Sequence, residues 1–294
     1  MTLPLPSRFD ERRLRLRLGI EPRDAVRQCR LTHPVDLRID RERFTQPFTG
    51  PPLTDAEARW LQSLRAGGLR LADQLERVPR HASARHAIIA DGTTPTRVDL
   101  RLLDQNRRYV PRRLRVPLAA GALDDIPIVR RSRQPWLWPG AAYPVLERAT
   151  GLRGRVVVDV GGVLRPVRWA RVRARRDVAG TQPIAWAHGD DRGEFLLILP
   201  PESLGPSAEL ATLSLVVEAR GRLGLPPNPP PVPVREVDPT WDLPRETLAA
   251  PGTTPDPVAE GRAMPTDMNG AVIRVVTFRY SVILGDSEPP FVIS

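Results

Sequence analysis

Apolar side chains alternate with charged ones at a period of two along much of this chain, and proline breaks the pattern repeatedly. Leu14, Leu16, Leu18 and Ile20 alternate with Arg13, Arg15 and Arg17. Val35, Leu37 and Ile39 alternate with Asp36, Arg38 and Asp40, and Val98, Leu100 and Leu102 repeat the pattern. Successive side chains of a strand point to opposite faces, so such runs suit half-buried β-strands. Proline gives no N–H to a sheet, so its 34 copies favour short strands joined by extended connections. The expectation is a mainly β chain with two small sandwich-like domains, one or two short helices, a proline-rich extended strap and a long C-terminal strand.

Residues 152–221 carry the clearest pattern. Val156, Val158 and Val160 share one face of a strand, and Gly161-Gly162 supplies a turn. Leu164, Ala170, Val172 and Ala174 then face one way, and Arg171, Arg173 and Arg175 face solvent, with Trp169 on the charged side. A strand over 184–188 follows. Gly189-Asp190-Asp191-Arg192-Gly193 is a turn cluster in which Gly193 is expected at positive φ. The run Phe195–Leu199 is apolar on both faces, which calls for a strand covered on both sides. Leu213, Leu215 and Val217 form one more strand.

Gly154-x-Val156, Pro166-Val167-x-x-Ala170-x-Val172-x-Ala174 and Asp191-x-Gly193-x-Phe195 together resemble the carboxypeptidase regulatory-like family. The resemblance implies a transthyretin-like β-sandwich over 152–221 with no catalytic residues of its own, attached to other parts as a scaffold or spacer. The family often has Thr or Ser where this chain has Asp190.

Residues 1–118 are expected to form an N-terminal β domain with an inserted helix, behind an arm at 1–11. Thr54 and Glu57 have the spacing of a capping box, and Leu61 and Leu64 continue one apolar helical face. Gly67-Gly68 interrupts it, leaving 69–75 open to helix or strand. Residues 119–150 are a Trp/Pro-rich connector, 151–221 the sandwich, 222–270 the strap, and 271–294 the C-terminal strand and tail. Pro226 to Pro233 suits a polyproline II rod, as a stiff spacer or as a ligand for an SH3-like groove. Residues 271–284 read as one strand, with Val272, Val276, Phe278, Tyr280, Val282 and Leu284 on one face. It either completes the first β domain or adds to a sheet in another subunit.

All 44 basic residues are arginine and the net charge is +10. A GC-rich coding bias and phosphate recognition are the two explanations. The arginines alternate with apolar groups or mix with 34 acidic residues, without clustered aromatics, which argues against a nucleic-acid surface. A single cysteine, Cys29, excludes an internal disulfide framework. Met1 to Arg13 lacks the apolar core of a signal peptide, and no run is long enough to span a membrane, so a cytoplasmic protein is expected.

The histidines His33, His81, His86 and His188 complete no metal pattern, and Asp124-Asp125 and Asp190-Asp191 read as turn formers. Nucleophile elbow, P-loop and dinucleotide fingerprint are missing. No catalytic, cofactor or metal residues are therefore assigned.

Noncatalytic β domains, a strap and apolar ends point to a structural or adaptor subunit whose partners are other protein subunits, reached by strand addition or by the strap. The organisation resembles accessory proteins of phage-tail-like contractile injection systems, at cap, collar or baseplate. The alternative is a carbohydrate- or surface-binding module that stacks sugars on Trp136, Trp138, Trp169 and Trp186. Candidate interaction residues are Trp136, Trp138, Tyr143, Trp169, Trp241, Phe278, Tyr280 and Phe291. For the aromatics of the connector, burial in a domain–domain seam is the other option.

Overall fold

The computed structural model describes residues 15–40, 75–78, 85–90, 96–119, 127–178, 182–201, 212–227, 229–230, 232–285 and 289–294. The N-terminal arm, the helix expected after Thr54, His81 and Asp124-Asp125 lie outside them. The fold is mainly β, with two short helices among the described residues.

In chain order the N-terminal part holds β1 (Arg15–Ile20), β2 (Arg23–Asp24), β3 (Asp36–Asp40), β4 (Leu75–Arg77), β5 (His86–Ala90), β6 (Arg97–Leu103) and β7 (Arg112–Pro117). The connector adds α1 (Ile128–Arg131), β8 (Ser132–Arg133) and β9 (Trp136–Leu137). Then come β10 (Gly151–Val160), β11 (Val163–Pro166), β12 (Arg171–Arg175), β13 (Ala185–His188), β14 (Glu194–Ile198) and β15 (Thr212–Gly221). The strap contributes α2 (Val232–Val237) and β16 (Arg245–Thr247), and the C-terminus β17 (Gly270–Arg279), β18 (Ile283–Leu284) and β19 (Phe291–Ile293).

The N-terminal unit has sheets of order β5-β1-β8 and β16-β7-β6-β3-β4. Leu18, Ile20, Leu37, Leu100, Leu102, Leu114 and Val116 fill its interior, as the alternation predicts. The strap does more than span. Its β16 pairs in parallel with β7, from Arg245↔Arg113 to Thr247↔Arg115. The rod expected over 226–233 gives way at its end to a helix, since α2 begins at Val232. The turns after it bring the chain back onto both units.

The C-terminal sandwich has one sheet of order β13-β12-β15-β17 and another built around β10. β10 pairs with β14 and β18 along its first half and with β11 and β19 along its second. The C-terminal strand neither returns to the first β domain nor stays unpaired. β17 lies antiparallel to β15 over ten residue pairs, from Gly221↔Gly270 to Thr212↔Arg279. Loop-closure cost grows only with the logarithm of length, so the long excursion between these two strands is cheap beside their pairing. The expected single strand over 271–284 is also two. The chain turns at Tyr280-Ser281, with Ser281 at φ 55°, and crosses to the opposite sheet, where Ile283 and Leu284 lie beside Gly151 and Leu152. A straight continuation would run past Thr212, the end of its partner, and leave those side chains in water. β17 on one sheet and β18 and β19 on the other thus place the C-terminal segment in both sheets of the sandwich.

Leu152, Val156, Val172, Phe195, Leu197, Leu215, Val217, Val276, Phe278 and Phe291 are the main interior groups. Gly193 has φ 73°, and a Cβ there would stand 2.4 Å from the Val156 carbonyl oxygen, so only glycine fits the turn. β14 is covered on both sides, as its composition predicts. Phe195 and Leu197 enter the sandwich interior, while Leu196 and Ile198 pack into the core of the N-terminal unit. One strand therefore feeds two cores.

Candidate functional site: the arginine seam

Beside the apolar contacts that Leu196 and Ile198 make with the N-terminal core, the two units also meet through buried charge. Arg112 opens β7 on the same face as Leu114 and Val116, so its side chain is carried inward by the strand period. Arg171 opens β12 and is also buried, although the sequence pattern places it on the solvated face with Arg173 and Arg175. The N-terminal unit and the strap cover that end of the strand. Glu246 of β16 lies between the two arginines. Arg112 donates from Nε and Nη2 to the two Glu246 oxygens, each at 3.1 Å. Arg171 donates from Nη2 to Oε1, also at 3.1 Å. One carboxylate from the strap thus joins an arginine of each unit. Arg112 also donates to backbone, from Nη1 to the Trp136 and Ala259 carbonyls and from Nη2 to that of Val258, and Arg171 donates from Nη1 to the Trp169 carbonyl, while its buried Nε has no hydrogen-bond partner among the described residues.

Two more strap carboxylates act at four-residue intervals before it. Asp238, fully buried, accepts from Arg101 of β6 and from Thr240. Arg101 also donates to Asp40 at 2.6 Å. Burial works against the Arg101 charge, but Asp40 and Asp238 outweigh it and raise its pKa. Asp242 reaches the other way, accepting from the Trp169 indole Nε1 at 2.7 Å and from Arg168 at 2.9 Å. Asp238 therefore ties the strap to the first unit, Asp242 to the second, and Glu246 to both.

His188, at the end of β13, donates from Nε2 to the Gly261 carbonyl at 2.8 Å and lies fully buried beside Trp138. Burial, reinforced by the Arg171 and Arg112 charges, holds its pKa well below 6.5, so it is a neutral member of the seam. Ala25, Trp138 and Trp186 pack here with Trp136 and Met264, which brings together both units, the connector and the strap. Nearby, buried Asp24 accepts the hydroxyls of Tyr109 and Tyr143 at 2.9 and 2.8 Å. Burial and the Asp24 charge raise both phenol pKa values, which keeps them donors.

The aromatics singled out from sequence divide accordingly. Trp138, Tyr143, Trp169, Phe278 and Phe291 are buried within this chain. Their indole, phenol or ring contacts are internal: Trp138 and Tyr143 follow the option of burial between the units, and Trp169, Phe278 and Phe291, singled out as candidate interaction residues, are held inside the chain. Trp169 is not on a charged strand face: it sits in the turn between β11 and β12 at φ 59°, where the chain changes sheets. Phe278 and Phe291 belong to the sandwich core, and Phe291 packs edge-on to Phe195. Trp136 is half-buried with the Arg262 guanidinium 5.1 Å from its ring. Trp241 is half-buried beneath Arg235 and lines a cavity of about 460 Å³ with Pro226, Pro230 and Met264. The charged groups of that cavity are paired internally, Arg113 with Asp40 and Arg222 with Asp267. Tyr280 is exposed.

Sequence reasoning missed Arg112, Asp238 and Glu246, and it placed Arg171 on the solvated face. The available signal was the spacing of three carboxylates, four residues apart, in a proline-rich segment.

No family model matches the chain, and no curated protein matches it. Among solved structures it shows a likeness to the minor pilin of the gram-positive pathogen Streptococcus agalactiae, at 10% identity over 95% of this chain and 100% of that chain. The TM-score is 0.21, and at that level the likeness carries no argument. Among the described residues no helix is long and apolar enough to cross a membrane.

Proposed function

We propose that this chain is a noncatalytic structural or adaptor subunit of a large protein assembly. The observation that carries the reading is the strap: its carboxylates accept hydrogen bonds from arginines of both units, and Glu246 from one of each. Buried ion pairs add little net stability, because desolvation offsets their attraction, but they are highly specific in geometry. A seam of this kind suits a spacer whose task is to present two faces in constant relation. Transthyretin-like scaffold character for 152–221 and a place at the cap, collar or baseplate of a contractile injection system are the finer forms of this proposal.

The sugar-binding alternative needs stacking aromatics at the surface. Trp138, Trp169 and Trp186 are buried, and Trp136 has Arg262 against its face, so that reading loses its platform. The test is sedimentation of host extracts carrying a tagged chain. Recovery in particles that contain sheath and tube components is expected, and electron microscopy would locate the tag. A chain found only in the slow-sedimenting fraction, with no stoichiometric partner, would remove the proposal.

A further inference from the structure

β17 is an edge strand. Its one strand partner among the described residues is β15, and its other edge carries backbone groups that β15 does not use. An edge of ten residues is about 33 Å of open template. Its outward face is apolar at the centre: Ile273 is 53% exposed and Val275 64% exposed. We propose that this edge binds the same edge of a second copy, antiparallel about a two-fold axis through Val275. The dimer does not depend on membership of a larger assembly.

The register follows from the residues. Outward side chains must meet outward ones, so only pairings that match odd with odd positions keep the faces aligned. Centring on Arg274 would set that guanidinium against its own copy, and directly opposed like charges destabilise a sheet. Centring on Val276 would set Ile273 against Arg279. Centring on Val275 avoids both: Arg274 faces Val276, Arg279 faces Ala271, and Ile273 faces Thr277. It also aligns Val216, the β15 partner of Val275, into a row of four valines across the axis. Such an isologous contact closes on itself, so it stops at two copies and does not propagate into a fibre. Arg274 points inward, its guanidinium 3.9 Å from the centre of the Phe291 ring. An inward charge of this kind protects an edge from indiscriminate pairing, and here it selects the register. The contact uses about ten residues a side, fewer than the roughly 20–30 of a standard interface, so a weak, concentration-dependent dimer is expected.

The test uses the full chain with Cys29→Ser as background. Sedimentation velocity from low to high micromolar protein should show a monomer–dimer equilibrium with no larger species. Ile273→Lys together with Val275→Lys should abolish the dimer and leave circular dichroism and melting temperature unchanged, because both side chains already face water. Val275→Cys under oxidised glutathione should cross-link to itself. Thr277→Cys should not, but should cross-link when mixed with Ile273→Cys. A monomer at every concentration, a dimer that survives the double lysine variant, or equal self-linking at Thr277 and Val275 would each overturn the proposal. So would a β17 edge that pairs only with a different protein.

Discussion

The interior of the C-terminal sandwich and the seam that joins it to the N-terminal unit both exclude water, yet they are made of different chemistry. The interior is alanine, valine, leucine and phenylalanine, held by contacts that have no preferred direction. The seam has apolar groups too, Leu196, Ile198, Trp138 and Trp186 among them, but its centre is arginine, aspartate, glutamate and histidine, held by hydrogen bonds whose directions are fixed. Damage to an apolar interior scales with the volume removed. A charged seam fails when one partner is lost and the others remain buried without it. The contrast teaches that stability resides in the sandwich and the relative placement of the units resides in the seam.

The largest effect is therefore expected at a single atom change. Glu246→Gln keeps the shape but leaves Arg112 and Arg171 buried without a counter-charge, and should cost about 3–5 kcal/mol in urea denaturation. Replacing all three residues by apolar ones of similar size should recover most of that loss. If Glu246→Gln were neutral, the seam would have no special status.

In the interior, Leu197→Ala should cost about 2–5 kcal/mol by opening a cavity, with a denaturant slope like that of the unaltered chain. A smaller cost at fully buried Leu197 would show an interior looser than its packing implies. Gly193→Val forces a branched side chain onto a positive-φ turn and against the Val156 carbonyl, at about 1–3 kcal/mol. A neutral outcome would mean that the β13–β14 turn adapts at little cost.

The smallest effect concerns pH. His188 has a folded pKa well below its unfolded value near 6.5, so only the unfolded chain takes up the proton as pH falls below about 6.5. Stability should decline from there by at most about 1.4 kcal/mol per pH unit, until the folded pKa is reached. His188→Gln should flatten the stability profile between roughly pH 6.5 and 5.5. An unchanged slope would show that His188 does not contribute to it.

How much of this was legible in the sequence follows the same division. The interior writes itself as a period of two, so the runs that became β10, β12, β14 and β15 were readable, and so was glycine at 193. The double coverage of β14 was visible because Leu196 and Ile198 are as apolar as Phe195 and Leu197. The seam has no period. Arg112 and Arg171 look like the many solvated arginines around them, and nothing local distinguishes a guanidinium that another unit will bury. The partner of β17 was hidden for the same reason: alternation fixes which face is apolar, but not which of several sheets receives it. The turn at Tyr280-Ser281 escaped because the apolar pattern continues across it and a single serine, without glycine, proline or asparagine beside it, is a weak turn signal.

Differential scanning calorimetry of the intact chain tests the central claim most directly. If the seam couples the two units, the unaltered protein melts in one transition whose calorimetric and van't Hoff enthalpies agree, and Glu246→Gln splits it into two. Two transitions in the unaltered protein, or one undivided transition in the variant, would contradict the account.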